Sequence, residues 1–100
     1  LLHYPPYGKL AAIIVSSAKQ QAASRVAVDL GRSAPHTDYI SVLGPAPAPL
    51  FMLRDKYRYR LLLKTARQIN IQRVLQEWLK MVNIPANVRV EIDIDPYSFM

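Results

Sequence analysis

Residues 44–49 read Gly-Pro-Ala-Pro-Ala-Pro, and this segment constrains the fold more than any other stretch of the chain. Proline lacks a main-chain N–H, and the residue before each proline is pushed towards extended conformations. The segment can therefore be neither a helix nor a central strand of a sheet. We predict a stiff, extended connection into a hairpin formed by residues 50–53 and 56–64, with Arg54 and Asp55 at its turn.

A strand and a helix are predicted ahead of this segment. Residues 9–16 are apolar on both alternating faces, which is typical of a strand buried on both sides. Ser17 and Gln20 have the spacing of a helix capping box. The helix then carries one apolar stripe, made of Ala23, Val26, Ala27 and Leu30. Gly31 is placed to end this helix, and residues 38–43 can form a short second strand.

A second helix and a last strand are predicted after the hairpin. Asn70 has the position of a helix cap, and Pro85 ends the helix. The apolar stripe between them consists of Ile71, Val74, Leu75, Trp78 and Val82. Residues 87–95 alternate between apolar and charged side chains, as a half-buried strand does.

The order of elements predicts one α+β domain. The predicted elements follow one another as strand, helix, strand, strand pair, helix and strand. The simplest fold for this order places two helices on one face of a small mixed sheet. This is a split βαβ arrangement of the ferredoxin-like kind. We place the domain at residues 9–100 and interpret residues 1–8, with two adjacent prolines, as a linker from a preceding domain.

The charge of the chain favours a polyanionic partner. The net charge is +6 at pH 7, so nucleic acid, a membrane surface or an acidic peptide would be attracted. No apolar run approaches the roughly 20 residues that a membrane span needs. The chain has no cysteine, which excludes a disulfide scaffold and a thiolate metal site and suits the cytosol.

Seven of the 13 basic residues lie between Arg54 and Arg73, where Asp55 is the only acid. The strand period puts Arg58, Arg60 and Lys64 on one face and Tyr57 and Tyr59 on the other. The pattern alone leaves open whether the basic face is a solvated surface or a contact surface. Like charges side by side on a strand repel, and rigid presentation lowers the entropic cost of binding, so we favour contact with phosphates.

The aromatic residues are interpreted mainly as core. Tyr57 and Tyr59 alternate with leucines and are expected to pack under the helices rather than stack on bases, and Trp78 lies in a helical apolar stripe. Tyr4 and Tyr7 stand beside the N-terminal prolines and are freer to contact a partner.

No catalytic site is predicted. His3 and His36 have no partner at metal-ligand spacing, and Asp93 and Asp95 fit a solvated strand face. The serines at positions 16 and 17 lack the glycines of a nucleophile elbow. The three glycines are too scattered to form a phosphate-binding loop.

Three stretches resemble a known family. They are residues 5–16, residues 42–64 with the proline segment followed by Arg-x-Lys-Tyr-Arg, and residues 88–100 with the closing Asp-Pro-x-Ser-Phe. Together they resemble the C-terminal end of the PriA family of bacterial replication-restart helicases, also called primosomal protein N′. The resemblance implies a small α/β sandwich similar to a ribosomal protein, which helps to bind branched DNA and lies against the motor lobes.

For the longer protein, the resemblance implies an ATP-driven 3′ to 5′ DNA helicase that helps to reload the replicative helicase in the bacterial cytoplasm, at the nucleoid. ATP, magnesium and zinc would be bound outside this segment, which is expected to hold no cofactor. The implied partners are branched and single-stranded DNA, other primosome proteins, the motor lobes and the acidic tail of single-stranded DNA-binding protein. No membrane partner is expected.

Two binding hypotheses follow, and they are compatible with each other. In the first, DNA phosphates are bound by Arg54, Lys56, Arg58, Arg60 and Lys64. In the second, Arg67 binds the terminal carboxylate of the acidic tail, with Gln68 or Gln72 as hydrogen-bond donors. A third reading is a structural buttress for the motor lobes, which would suit a strand that is apolar on both faces.

Overall fold

A computed structural model describes residues 7–95 of the chain. The elements are β1 (Tyr7–Ser17), α1 (Gln20–Arg32), β2 (Ile40–Leu53), β3 (Lys56–Ala66), α2 (Ile71–Lys80) and β4 (Arg89–Asp95). The predictions for most of the linker, for His3 and Tyr4, and for the closing motif after Asp95 lie outside these described residues, as do the side chains of Tyr7 and Asp95.

The four strands form one sheet in the order β2-β3-β1-β4, and each neighbouring pair is antiparallel. This is the predicted ferredoxin-like arrangement, so the fold class is confirmed. One detail differs, because a mixed sheet was expected. In each βαβ unit the two strands joined by a helix run in the same direction, but another strand is inserted between them, so no parallel neighbours remain.

The hydrophobic core lies between one face of the sheet and both helices. The central strands contribute fully buried side chains, namely Ala11, Ile13, Val15, Leu61 and Leu63. From the helices come the buried residues of both predicted apolar stripes. Trp78 is buried and donates its indole N–H to the main-chain oxygen of Leu30 at 3.0 Å, which joins α2 to the end of α1. Its predicted role as a core residue is therefore confirmed.

The two helices begin in different ways. Asn70 caps α2 as predicted, because its side-chain oxygen accepts a hydrogen bond from the N–H of Arg73 at 3.1 Å. The capping box at Ser17 is wrong. Ser17 is the last residue of β1, paired with Tyr57, and α1 begins at Gln20 with no side-chain cap. Pairing in the sheet has prevailed over the local capping signal.

The proline segment is part of β2, which corrects the prediction of a connection outside the sheet. β2 lies at the edge, where a missing N–H leaves no sheet partner unsatisfied. Its register shifts twice, between Leu43 and Ala46 and between Pro47 and Met52. The turn to β3 falls at the predicted Arg54 and Asp55, whose φ values of 53° and 64° fit a two-residue type I′ hairpin.

Candidate nucleic-acid interface

The sheet has one face free of helices, called here the outer face. The register of the strands decides which side chains lie on it. Ala12 of β1 lies opposite Leu62 of β3, which lies opposite Leu43 of β2. On β1 and β3 the residues two positions away follow the same face, because side chains alternate along a strand. The outer face therefore carries the even-numbered side chains of β1 and β3.

The basic column of the outer face consists of Lys56, Arg58, Arg60 and Lys64, all on β3. The predicted sorting of the hairpin into a basic and an aromatic face is therefore confirmed. Tyr57 and Tyr59 lie on the helix side, half-buried, and both contact the ring of Phe51 edge to face, at centroid distances of 5.6 and 5.3 Å. Tyr59 also packs against the hydrophobic core, as predicted, whereas Tyr57 is not among the residues packed against that core.

Arg58 has a structural role that the sequence did not reveal. Its Nη1 donates to the main-chain oxygens of Pro49 and Leu50, at 2.8 and 3.1 Å. These oxygens lie in the irregular part of β2, where Leu50 has a φ of 55°. Arg58 therefore links β3 to the bulged edge strand and fixes the shape of the hairpin.

Two further columns run beside the basic one. The apolar column of β1 consists of Leu10, Ala12 and Ile14, all half-buried. Across it, the acidic column of β4 consists of the exposed Glu91 and Asp93, opposite Ile14 and Ala12. Two strand spacings separate the basic and acidic columns, which is roughly 10 Å.

A groove of about 300 Å³ opens at the hairpin end of the outer face. Its lining includes Leu53 together with four basic residues, which are Arg54, Lys56, Arg58 and Arg89. Glu91 also lines the groove and forms an ion pair with Arg89 at 3.4 Å. We call this the hairpin groove. Three of the five predicted DNA-binding residues lie in it, whereas Arg60 and Lys64 lie further along β3.

The predicted peptide-binding residues lie elsewhere. Arg67 and Gln68 are exposed in the loop after β3, and Gln72 is exposed in the first turn of α2. The structure thus places all three along one short surface segment. Lys9 donates from its ammonium group to the main-chain oxygen of Ile69 at 2.6 Å and so ties this loop to β1.

Arg89 and the exposed apolar side chains of the hairpin belong to this region but were not predicted from the sequence. Arg89 belongs to the groove only because β4 pairs beside β1, which brings position 89 opposite Ser16. The alternation of apolar and charged residues within 87–95 does not show which strand lies beside β4. Leu50, Met52 and Leu53 were assigned to a strand, and the structure leaves all three exposed.

The described residues contain no cluster of metal-binding side chains. No group of three or more His, Cys, Asp or Glu side chains within residues 7–95 could hold a metal ion. His36 is exposed in the loop before β2, and Asp93 is exposed on β4. Among the described helices, none is both long and apolar enough to cross a membrane.

Comparison with known proteins places this interface in context. Residues 1–97 match the family model described as the primosomal protein N C-terminal domain. This chain belongs to the PriA C-terminal domain family. It is 38% identical over 95 residues to the replication restart protein PriA of Rickettsia conorii, 32% identical over 102 residues to that of Synechocystis, and 28% identical over 102 residues to that of Bacillus subtilis.

The alignments cover 95%, 98% and 97% of this chain but only 14%, 12% and 13% of those relatives. The chain thus corresponds to about one seventh of a PriA protein. The resemblance noted from the proline segment and the basic hairpin is confirmed, and the matched relatives are named for replication restart.

Proposed function

We propose that this PriA C-terminal domain binds DNA, and that the basic column and the hairpin groove make the phosphate contacts. The observation that carries the proposal is the concentration of cations on one strand. Within the described residues, neither Arg60 nor Lys64 forms an ion pair, and both lie on the outer face of the same strand. Such a row of like charges is costly unless an anion neutralises it.

The distribution of charge limits the path that DNA can take. A duplex lying flat across the whole outer face would bring phosphates close to Glu91 and Asp93. A path along β3 towards the hairpin groove keeps the phosphates beside the basic column and avoids Asp93. The one carboxylate that lines the groove, Glu91, is already paired with Arg89 at 3.4 Å. Contacts of this kind orient the DNA and give affinity that falls with salt, but they read little sequence. Shape and branching of the DNA would then matter more than its sequence.

The wider role follows from family membership and is part of the same proposal. The longer protein would be an ATP-dependent 3′ to 5′ helicase that acts at abandoned replication forks and helps to reload the replicative helicase. ATP, magnesium and zinc would be bound by other parts of it, and it would act at the nucleoid in the cytoplasm. This domain would supply part of the affinity for branched DNA.

Fluorescence anisotropy with a labelled DNA fork, over a salt series, tests DNA binding. The test variant is Arg60→Gln/Lys64→Gln, which leaves the structural bonds of Arg58 intact. Its matched control is Arg25→Gln/Lys80→Gln, which removes the same charge from exposed positions on the helices. We expect the slope of log K against log salt to fall by about 1 for each lost phosphate contact. The control should keep a slope closer to that of the unsubstituted chain.

Equal slopes for the two double variants would show that binding depends on net charge and that the basic column is not the contact surface. No binding of the fork by the unsubstituted chain, even at low salt, would refute DNA binding by this domain altogether.

A second candidate function is protein binding, and the outer face gives it one specific observation. The apolar column lies between a basic and an acidic column, a pattern that suits a protein partner with matching charges better than a uniform polyanion. The motor lobes of the longer protein would be that partner. Loss of motor stability without the domain, with no DNA binding by the domain, would favour this role.

The same candidate includes the acidic tail of single-stranded DNA-binding protein. Arg67, Gln68 and Gln72 would bind its terminal carboxylate, since an arginine can hold a carboxylate through two parallel hydrogen bonds. A peptide that ends in an aromatic residue and a free carboxylate should bind, and its C-terminally amidated form should not. Arg67→Ala should lower the affinity for the peptide with the free carboxylate by about tenfold or more, as expected for the loss of a hydrogen bond to a charged group.

A further inference from the structure

The tip of the β2–β3 hairpin exposes three large apolar side chains. The exposed fractions are 70% for Leu50, 49% for Met52 and 41% for Leu53. We call these residues the tip cluster. Three large apolar residues within four positions, on a two-residue hairpin, are more than the scattered apolar residues expected on a protein surface.

The tip cluster is not needed to complete the core. Two neighbours on β2 already serve that purpose: Ala48 is buried, and Phe51 packs on Tyr57 and Tyr59. The tip is also held in one shape, because Arg58 binds the oxygens of Pro49 and Leu50 and the turn has a defined geometry. The cluster is therefore presented by a braced hairpin.

The tip cluster adjoins the hairpin groove. Leu53 belongs to both, and Arg54 and Lys56 follow it directly in the chain. Leu53, opposite Lys56, thus brings apolar surface beside the four cations of the groove, among which Glu91 is the one acid. Met52, opposite Tyr57, extends the apolar surface of the tip to the helix side of the hairpin. A partner that fits must offer anionic and apolar surface together, at a distance of a few ångströms.

DNA offers this combination where its base pairing ends. In a continuous duplex the faces of the bases are stacked and inaccessible, and only the phosphates and groove edges are presented. At the branch of a fork the last base pair and the first unpaired bases expose their faces beside the phosphates. Leucine and methionine are among the side chains that pack between bases in other DNA-binding proteins.

We propose that the tip cluster packs against base faces exposed at a DNA branch, while the cations of the hairpin groove bind the adjoining phosphates. The inference rests on the proposed DNA binding and adds the feature of DNA that is recognised. The apolar contact gives preference for the junction, and the charged contact gives affinity for any DNA. The two contributions are separable by mutation because different residues make them.

The experiment measures the preference of the 100-residue chain for a fork over a fully paired duplex with the same number of nucleotides. The ligands carry 2-aminopurine at the branch, whose fluorescence rises when its stacking is lost. The test variant is Leu50→Ser/Met52→Ser, with Leu50→Ala as a milder second variant. The control is Val28→Ser/Met81→Ser, which removes exposed apolar side chains from outside the hairpin. The fluorescence of Trp78, the only tryptophan, reports whether each variant is folded.

We expect the unsubstituted chain and the control to prefer the fork on the order of tenfold, the gain from covering about one large apolar side chain. The test variant should lose this preference and the 2-aminopurine signal, and Leu50→Ala should lose part of both. Affinity for the duplex and its salt slope should stay unchanged in all variants.

A fork preference that survives in the test variant, or no preference in the unsubstituted chain, would overturn this inference and leave DNA binding intact. No binding to either DNA would instead refute the proposed function. Binding of the unsubstituted chain to vesicles of anionic lipid, lost in the test variant while its fork preference persists, would assign the tip cluster to a membrane and also overturn the inference.

Discussion

Arg58 donates from Nη1 to the main-chain oxygen of Pro49 at 2.8 Å, and this bond fastens β3 to the irregular half of the edge strand. Three prolines in β2 cannot donate to the sheet, and the register shifts between Pro47 and Met52. A side chain of β3 therefore supplies a donor where the ladder of main-chain bonds is interrupted. A residue that looks from the sequence like a phosphate ligand is thus also a structural residue of the hairpin.

Replacement of Arg58 should therefore affect stability as well as DNA binding. We expect Arg58→Ala to lower the free energy of unfolding by about 1 kcal/mol, the usual net contribution of such hydrogen bonds at a partly exposed site. Urea unfolding followed by Trp78 fluorescence measures this. Arg60→Ala is the control. Arg60 lies on the same face of β3, but its side chain makes no hydrogen bond to a described residue. Its replacement should change the free energy of unfolding by no more than about 0.5 kcal/mol. Equal losses in the two variants would contradict the bracing role.

Local patterns were sufficient to predict most of the fold. The strand period, the buried members of the two apolar stripes and the cap at Asn70 are properties of short windows, and each was found where it was expected. The helix ends differ from the prediction, because α1 continues past Gly31 to Arg32 and α2 ends at Lys80, before Val82 and Pro85. The capping signal at Ser17 failed because β1 extends to that residue and pairs with Tyr57. The prediction that the proline segment is a connection was wrong for a similar reason. Only the order of strands in the sheet shows that the segment lies at an edge, where prolines are tolerated.

The candidate interface was predictable only in part. Alternation along β3 identified the basic column, because all of its members belong to one strand. Other features depend on which strands are neighbours in the sheet. These are the position of Arg89 in the groove and the placement of the apolar and acidic columns beside the basic one. The bracing bonds of Arg58 depend on the bulge in β2, which no sequence pattern specified.

The acidic column should weaken DNA binding along β3. At roughly 10 Å in water, the repulsion between one carboxylate and one phosphate is about 0.4 kcal/mol, close to twofold in affinity. Asp93→Asn should therefore tighten fork binding by about twofold at low salt, and the gain should vanish at high salt, where screening is complete. Anisotropy titrations at two salt concentrations measure this.

Asp38→Asn removes the same charge from the loop before β2 and serves as the control. A gain at Asp93 that persists unchanged at high salt would show that the effect is not electrostatic. A larger gain in the control would place the DNA on another surface.

Thr65 is a position at which a substitution should stabilise the protein. It is fully buried on β3, and its hydroxyl has no hydrogen-bond partner in the described part of the chain. Valine has nearly the same shape without the hydroxyl, so Thr65→Val removes an unsatisfied polar group from the core. We expect the free energy of unfolding to rise by about 1 kcal/mol, measured by urea unfolding. Thr37→Val, at an exposed position whose hydroxyl accepts from the N–H of Tyr39, should bring no such gain.

Gly31 connects helix packing to the shape of the hairpin strand. It lies within α1, where alanine would favour the helix by about 1 kcal/mol. A Cβ at this position would lie only 2.9 Å from Cδ of Pro45, and the proline ring cannot rotate away. We expect the steric conflict to dominate, so that Gly31→Ala lowers the free energy of unfolding by roughly 1–3 kcal/mol, as overpacking usually does.

The same substitution should also change DNA binding, because β2 must shift away from α1 and it carries the tip cluster. Gln21→Ala is the control, since this side chain is exposed on α1 and its removal should leave both stability and fork binding nearly unchanged. If Gly31→Ala were instead as stable as the unsubstituted chain, β2 would yield to α1 without strain. Weaker fork binding by such a stable variant would still link the position of β2 to DNA recognition, whereas unchanged binding would separate the two.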